Sequence, residues 1–294
     1  MTNQSATTTP PTRAPAVTER LPPHVYFLVS AVFHYLGPAF AVLLFQRVDS
    51  LGVAWLRIAT AALVFALWRK PWRVLLSAPA PQRWLLLALG AVLGVMNAVF
   101  YLAIERLPLA TVGAIEFLGP ILLAAAGARS ARNIGALALA VLGVLLLTDI
   151  RWSGEPLGLA YAFANCLLFM LYIVLGHRIA ADGGSGGIDR LAAAMLIAFV
   201  VVSPLGLMQA LPAFSSISLL AAGLAVGVCS SVIPYVCDQL AMARLARATF
   251  ALLLALLPAV ATVVGIVVLG QIPTFTEAAG VALVIVGVAL HRAR

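Results

Sequence analysis

Ten runs of mostly apolar residues, each close to twenty long, divide this chain almost end to end. A helix rises about 1.5 Å per residue, so about 20 residues cross the roughly 30 Å hydrocarbon core of a bilayer. The runs fall at 24–45, 50–68, 84–104, 109–127, 132–149, 156–176, 188–208, 217–241, 247–269 and 275–291. Only 10% of the 294 residues are charged, against roughly 25% in soluble domains. So few charges cannot cover a water-facing surface, and lipid must cover most of this one. The expected fold is all-α and integral to the membrane, with ten transmembrane helices.

Residues 1–23, rich in Thr, Pro and Ala, read as a disordered tail. No short apolar core with a small-residue cleavage site precedes the first run, so that run is expected to stay in the membrane. Lys and Arg accumulate in cytoplasmic loops. With the N-terminus inside, fourteen of the eighteen fall in cytoplasmic segments, three (Arg47, Arg106 and Arg151) in outer loops, and Arg57 within a span. The bias predicts cytoplasmic N and C termini, a cytoplasmic tail, and a multi-pass protein of the bacterial inner (plasma) membrane. The net charge of +8 comes from arginines scattered singly between apolar runs. That pattern argues against nucleic acid as a partner.

The chain repeats itself. The segment 105–111, followed by Pro120, is similar to 243–249, followed by Pro258, at a constant offset of 138. Upstream, Gly90 and Gly94 recur as Gly223 and Gly227, Gln46-Arg47-Val48 as His177-Arg178-Ile179, and Arg57 as Arg190. Each half holds five spans, and an odd number inserts the second half upside down. The tail thus precedes a first five-helix repeat over 24–149 and an inverted one over 156–291. Inverted repeats mark secondary transporters, with the substrate site between the halves.

An ionisable side chain at membrane depth costs about 2.5–3.5 kcal/mol on insertion scales, so each is read first as functional. Glu116 lies about seven residues into the fourth run, roughly 10 Å deep. It suits a substrate ammonium or an exchanged proton. Arg57 falls inside a run too short to leave it out, so it either pairs with Glu116 in a structural ion pair or snorkels to the outer interface. Asp238 is a second proton or cation site, or a residue near the interface. His34, near mid-membrane, is a proton relay or a hydrogen-bonded core histidine. Asn97 and Tyr101 are four apart and share a helix face. They bind a substrate's polar end or hold helices together. Tyr235, Tyr35, Asn165 and Tyr172 are weaker candidates of the same kind. Pro120 and Pro258 break their spans at matching positions, which frees backbone carbonyls toward a central site or simply bends the helices.

Cys166, Cys229 and Cys237 show no Cys-x-x-Cys spacing, and the four histidines lie far apart. Neither a metal nor a cofactor is expected. No nucleophile, base or ligand set converges, so no catalytic residue is assigned and an enzyme is not expected. No Gly-x-x-x-x-Gly-Lys loop is present to bind ATP.

The segment Gly94-Val95-Met96-Asn97-Ala98-Val99-Phe100-Tyr101-Leu102-Ala103-Ile104, then Leu107-Pro108-Leu109 and Glu116-Phe117-Leu118-Gly119-Pro120, resembles the drug/metabolite transporter superfamily. Within it the chain looks most like the EamA-type threonine/homoserine exporter branch. Arg69-Lys70-Pro71-Trp72-Arg73, Pro234-Tyr235 and Asp238 fit as well. The resemblance spans roughly 25–290. It implies a ten-helix fold of two EamA-type repeats and export of small metabolites driven by proton exchange. Two positions depart from the family pattern. Leu257 stands before Pro258 where a glutamate is frequent, and Gly270-Gln271 stands where Gly-Glu is frequent. Any coupling route through those carboxylates is absent here.

The expectation is a secondary active transporter exporting a small polar metabolite by proton antiport, an amino acid such as threonine or homoserine foremost. Its partners are the small-molecule substrate, protons and the lipid bilayer. The alternatives are export of another metabolite or drug and, from a different class, a membrane-embedded enzyme or passive channel. The glycine pairs read as close helix contacts and leave a homodimer open.

Overall fold

A computed structural model of the chain describes residues 21–119, 130–149, 155–180, 184–245, 250, 253–254 and 257–290. Among these residues every regular element is helical. The tail up to residue 20, Pro120 and most of 246–256 lie outside them.

The first half contains α1 (Pro23–Leu44), α2 (Ser50–Arg69), the short α3 (Trp72–Ser77), α4 (Ala80–Arg106), α5 (Leu109–Glu116) and α6 (Ala131–Asp149). The second contains α7 (Pro156–Ala180), α8 (Gly184–Ala210), a 3-10 turn (Leu211–Ser215), α9 (Ile217–Gly227), α10 (Ile233–Met242), α11 (Leu257–Leu269) and α12 (Phe275–Leu290). Between α9 and α10 the backbone opens into one wide π-type turn, Val228–Val232.

Local chemistry sets these boundaries. The Asp49 carboxylate accepts the Leu51 amide at 3.0 Å and starts α2, while Lys70, at φ 49°, ends it. Pro108 precedes α5, where its missing N–H is no loss. Thr274 and Glu277 exchange side-chain and backbone bonds at the start of α12, a capping box. The connection 69–83 holds α3 and so is not plain loop: a six-residue helix is too short to show as an apolar run.

Among the described residues, six helical stretches are long and apolar enough to cross a membrane: Pro23–Leu44, Ser50–Arg69, Ala80–Arg106, Pro156–Ala180, Gly186–Ser215 and Ile217–Met242. Shorter apolar helices cover Ala131–Gly143, Ala259–Leu269 and Phe275–Gly287. Leu63, Leu67, Val200, Met208 and Val267 point outward. Apolar surface of that extent suits a lipid surround.

Helix partnerships recur with the halves exchanged. Helix α1 packs on α10 and α11, and α7 packs on α4 and α5. Helices α2 and α8, α5 and α11, and α6 and α12 pair directly. The repeated glycines sit at two further contacts, α4 with α8 and α9 with α2. A Cβ at Gly90 or Gly94 would meet Ala194, Ile197, Ala198 and Val201 on α8, and one at Gly223 or Gly227 would meet Leu56 and Thr60 on α2. Tyr35, Tyr101, Tyr172 and Tyr235, all fully buried, occupy the centre among these helices.

Candidate functional site

Two carboxylates lie deep in the bundle. Glu116, at the end of α5, is 2% exposed, and Asp238, in the middle of α10, is 3% exposed. A buried carboxylate needs hydrogen-bond donors, because each lone pair has lost water. Tyr35 donates its hydroxyl to Glu116 Oε2 at 3.1 Å, and Asn165 donates Nδ2 to Oε1 at 2.9 Å. His34 Nε2 stands 3.8 Å from Oε2. At Asp238 the donors are the Ser30 hydroxyl, to Oδ1, and the Tyr172 hydroxyl, to Oδ2 at 3.0 Å.

Helices α1 and α7 therefore serve both acids. Helix α1 gives Ser30 to Asp238 and, about one turn further on, His34 and Tyr35 to Glu116. Helix α7 gives Asn165 to Glu116 and, two turns on, Tyr172 to Asp238. The seven-residue spacing places the two α7 donors on one face, while on α1 His34 shares the face of Ser30 and Tyr35 lies further round the helix.

Arg57 takes neither arrangement expected for it. It is buried, 3% exposed, so it does not snorkel. No carboxylate lies within ion-pair reach of it among the described residues. Its Nε donates to Ser231 Oγ at 2.7 Å and its Nη2 to the Ser230 carbonyl at 2.7 Å. Pro234 explains that carbonyl. Four residues after Ser230, it has no N–H to offer, and its ring pushes the turn open. The freed oxygen and the adjacent hydroxyl become the guanidinium's acceptors, in place of Glu116. Tyr101 lies against the same guanidinium, Arg57 Cζ being 5.5 Å from its ring centroid.

These groups converge on a small, narrow cavity lined by His34, Arg57, Asn97, Glu116, Asn165 and Tyr235 with Met96 and Phe100. Asn97 donates Nδ2 to the Leu93 carbonyl at 2.7 Å and to the Tyr235 hydroxyl at 3.0 Å, across α4 and α10. Two buried polar atoms here, Asn165 Oδ1 and the Tyr101 hydroxyl, find no hydrogen-bond partner among the described residues. The site thus offers a cation without a carboxylate, an anion, and an idle acceptor.

Of the residues read from the sequence, Arg57, His34, Asn97, Glu116 and Tyr235 line this cavity, Tyr101 adjoins it, and Asp238 sits outside its lining. Pro120 lies outside the described residues, and Pro258 is the second residue of α11. Ser30, Ser230 and Ser231 join this hydrogen-bond network, and sequence reasoning missed them. Pro234 was the available signal for Ser230.

Residues 156–292 match the model of the EamA-like transporter family. The chain is 34% identical over 263 residues to the threonine/homoserine exporter RhtA of Salmonella typhimurium strain LT2, covering 87% of this chain and 88% of the relative. It is also 34% identical over 252 residues to RhtA of Escherichia coli strain K12, covering 85% and 84%. A solved crystal structure with 19% identity shares the fold at a TM-score of 0.66, over 92% of this chain and 98% of its own. Identity at that level across most of both chains is shared ancestry: this multi-pass membrane protein belongs to the EamA-like transporter family.

Proposed function

We propose that the protein is a ten-helix secondary transporter of the bacterial inner membrane. It exports a small zwitterionic metabolite, an amino acid such as threonine or homoserine, in exchange for protons. Its two inverted five-helix repeats, over 24–149 and 156–291, rock about the central cavity with both termini in the cytoplasm. The exchanged helix partnerships and the matched glycine contacts support the repeat. The charge bias of the loops supports the orientation.

The observation that carries the reading is the pair of unjoined charges on one cavity. A zwitterion supplies what each lacks. Its carboxylate meets Arg57, and its ammonium meets Glu116 and the idle Asn165 Oδ1. Asn97 and Tyr235 face a substrate hydroxyl. The RhtA relatives carry threonine and homoserine in their names, and that supports the substrate class.

Counterflow of radiolabelled threonine in proteoliposomes tests it. The parent protein takes up label against internal threonine, and Glu116→Gln does not while remaining folded. A parent that moves no amino acid across a panel sinks the substrate assignment.

A further inference from the structure

Asp238 shares α1 and α7 with Glu116 but belongs to a different environment. It does not line the cavity that Arg57, Glu116 and Asn165 share. Its two bonded partners, Ser30 and Tyr172, are both hydroxyls. A hydroxyl both donates and accepts. When Asp238 takes a proton, its new O–H can donate to one hydroxyl oxygen, while the other hydroxyl goes on donating to the remaining carboxyl oxygen. Both contacts survive, and a serine hydroxyl that turns acceptor can aim its own hydrogen at the helix carbonyl one turn back, so either protonation state is satisfied in place. At Glu116 only Oε2 has a hydroxyl partner, Tyr35, while Oε1 is fixed as an acceptor by the Asn165 amide N–H; at Asp238 either oxygen can take the proton.

The groups facing Asp238 are few. From α1 there is Ser30 and, one turn on, His34; from α7 there is Tyr172; on its own helix, Tyr235 and Cys237 adjoin it. The charged residues at the start of α8 are engaged elsewhere: Asp189 pairs with Arg69, and Arg190 donates to the Ile179 carbonyl. His34 also stands 3.8 Å from Glu116. One imidazole therefore addresses both acids.

We propose that Asp238, with Ser30 and Tyr172, is the site that carries the exchanged proton, separate from the substrate site at Glu116 and Arg57, and that His34 couples the two. This rests on the proton exchange proposed above. Water on one side of the membrane protonates the Asp238 carboxylate, and water on the other side takes the same proton away. The change of charge at Asp238 reaches Glu116 across His34, whose imidazole lies one turn along α1 from Ser30 and 3.8 Å from Glu116. Substrate and proton thus occupy different carboxylates and compete through electrostatics rather than for one oxygen.

Two proteoliposome assays separate the sites. In counterflow at equal pH, which moves no net proton, Asp238→Asn still exchanges labelled substrate, with a KM raised toward that of the parent at acid pH. In accumulation driven by a pH gradient, Asp238→Asn fails, while Glu116→Gln fails in both. Retained pH-driven accumulation in Asp238→Asn, or loss of its counterflow in folded protein, overturns the proposal. So does a parent with counterflow but no response to a pH gradient, which leaves the substrate reading standing. An assay without substrate keeps the two readings distinguishable. Infrared difference spectra across a pH titration show a carboxylic-acid C=O band in the parent that Asp238→Asn removes. Absence of that Asp238-dependent band overturns the proposal whichever substrate is transported.

Discussion

Arg57 and Glu116 line the same cavity without bonding to each other. Arg57 is held by Ser231 and the Ser230 carbonyl, and Glu116 by Tyr35 and Asn165. A closed ion pair would leave nothing for a ligand to complete. Two charges tethered separately by neutral groups keep their attraction for a third party, and the buried setting strengthens it.

Arg57 is expected to read the substrate's carboxylate. A hydrogen bond to a charged group contributes about 1.5–3 kcal/mol, so Arg57→Gln weakens threonine binding by roughly tenfold or more. Threoninol, which lacks the carboxylate, is expected to bind the parent and Arg57→Gln alike. Isothermal titration of both ligands against both proteins checks this, and equal losses for the two ligands would exclude the role.

Glu116 is expected to hold the substrate's ammonium through its charge. Glu116→Gln removes that charge, and Glu116→Asp keeps it on a shorter arm, so counterflow is lost in the first and reduced but measurable in the second. Initial rates of the three proteins decide the matter, and a Glu116→Gln variant that exchanges threonine like the parent excludes the role.

The Asn97–Tyr235 bond joins α4 to α10. Polar contacts between membrane helices average about 0.6 kcal/mol, so Tyr235→Phe leaves thermal stability nearly unchanged. Asn97 keeps the Leu93 carbonyl as an acceptor. The expected change is in selectivity: competition assays show the preference for threonine over valine falling. A stability loss with unchanged selectivity would mark the bond as purely structural.

Gly227 meets Thr60 so closely that an added Cβ would lie 2.4 Å from the threonine Cβ. Gly227→Val is expected to cost about 1–3 kcal/mol through overpacking. Gly135 has nothing within 4 Å of its added Cβ, and Gly135→Ala is expected to stabilise α6 by up to about 1 kcal/mol. Thermal unfolding of the detergent-solubilised variants gives both signs.

The charged members of the site were readable because Glu116, Arg57 and Asp238 interrupt apolar runs, and a charge at that depth has few innocent explanations. Their pairing was not readable. Charge alone suggested Glu116 with Arg57, whereas the nearest acceptors for Arg57 belong to two serines. Serine is common wherever membrane helices pack closely, so Ser30, Ser230 and Ser231 gave no signal above that background. Pro234 did carry information, because a proline always frees the carbonyl four residues before it. Fold was more legible than site: the apolar runs match α1, α2, α4, α6 to α8, the stretch from α9 through α10, and α12 closely, while α3 is too short to leave such a mark.

The wide turn at Val228–Val232 has a consequence for phase. Each α-helical residue advances the helix by about 100°, and a π-type turn absorbs one extra residue without extending the axis. Everything after it, Tyr235 and Asp238 included, is rotated by that step relative to an unbroken helix. Deleting a single residue between 228 and 232 would turn the Asp238 carboxylate away from Ser30 and Tyr172 while leaving every side chain of α10 intact. The alignment of the second acid with α1 and α7 is thus counted in backbone units. In this stretch a change of length is expected to be far more damaging than a change of residue type.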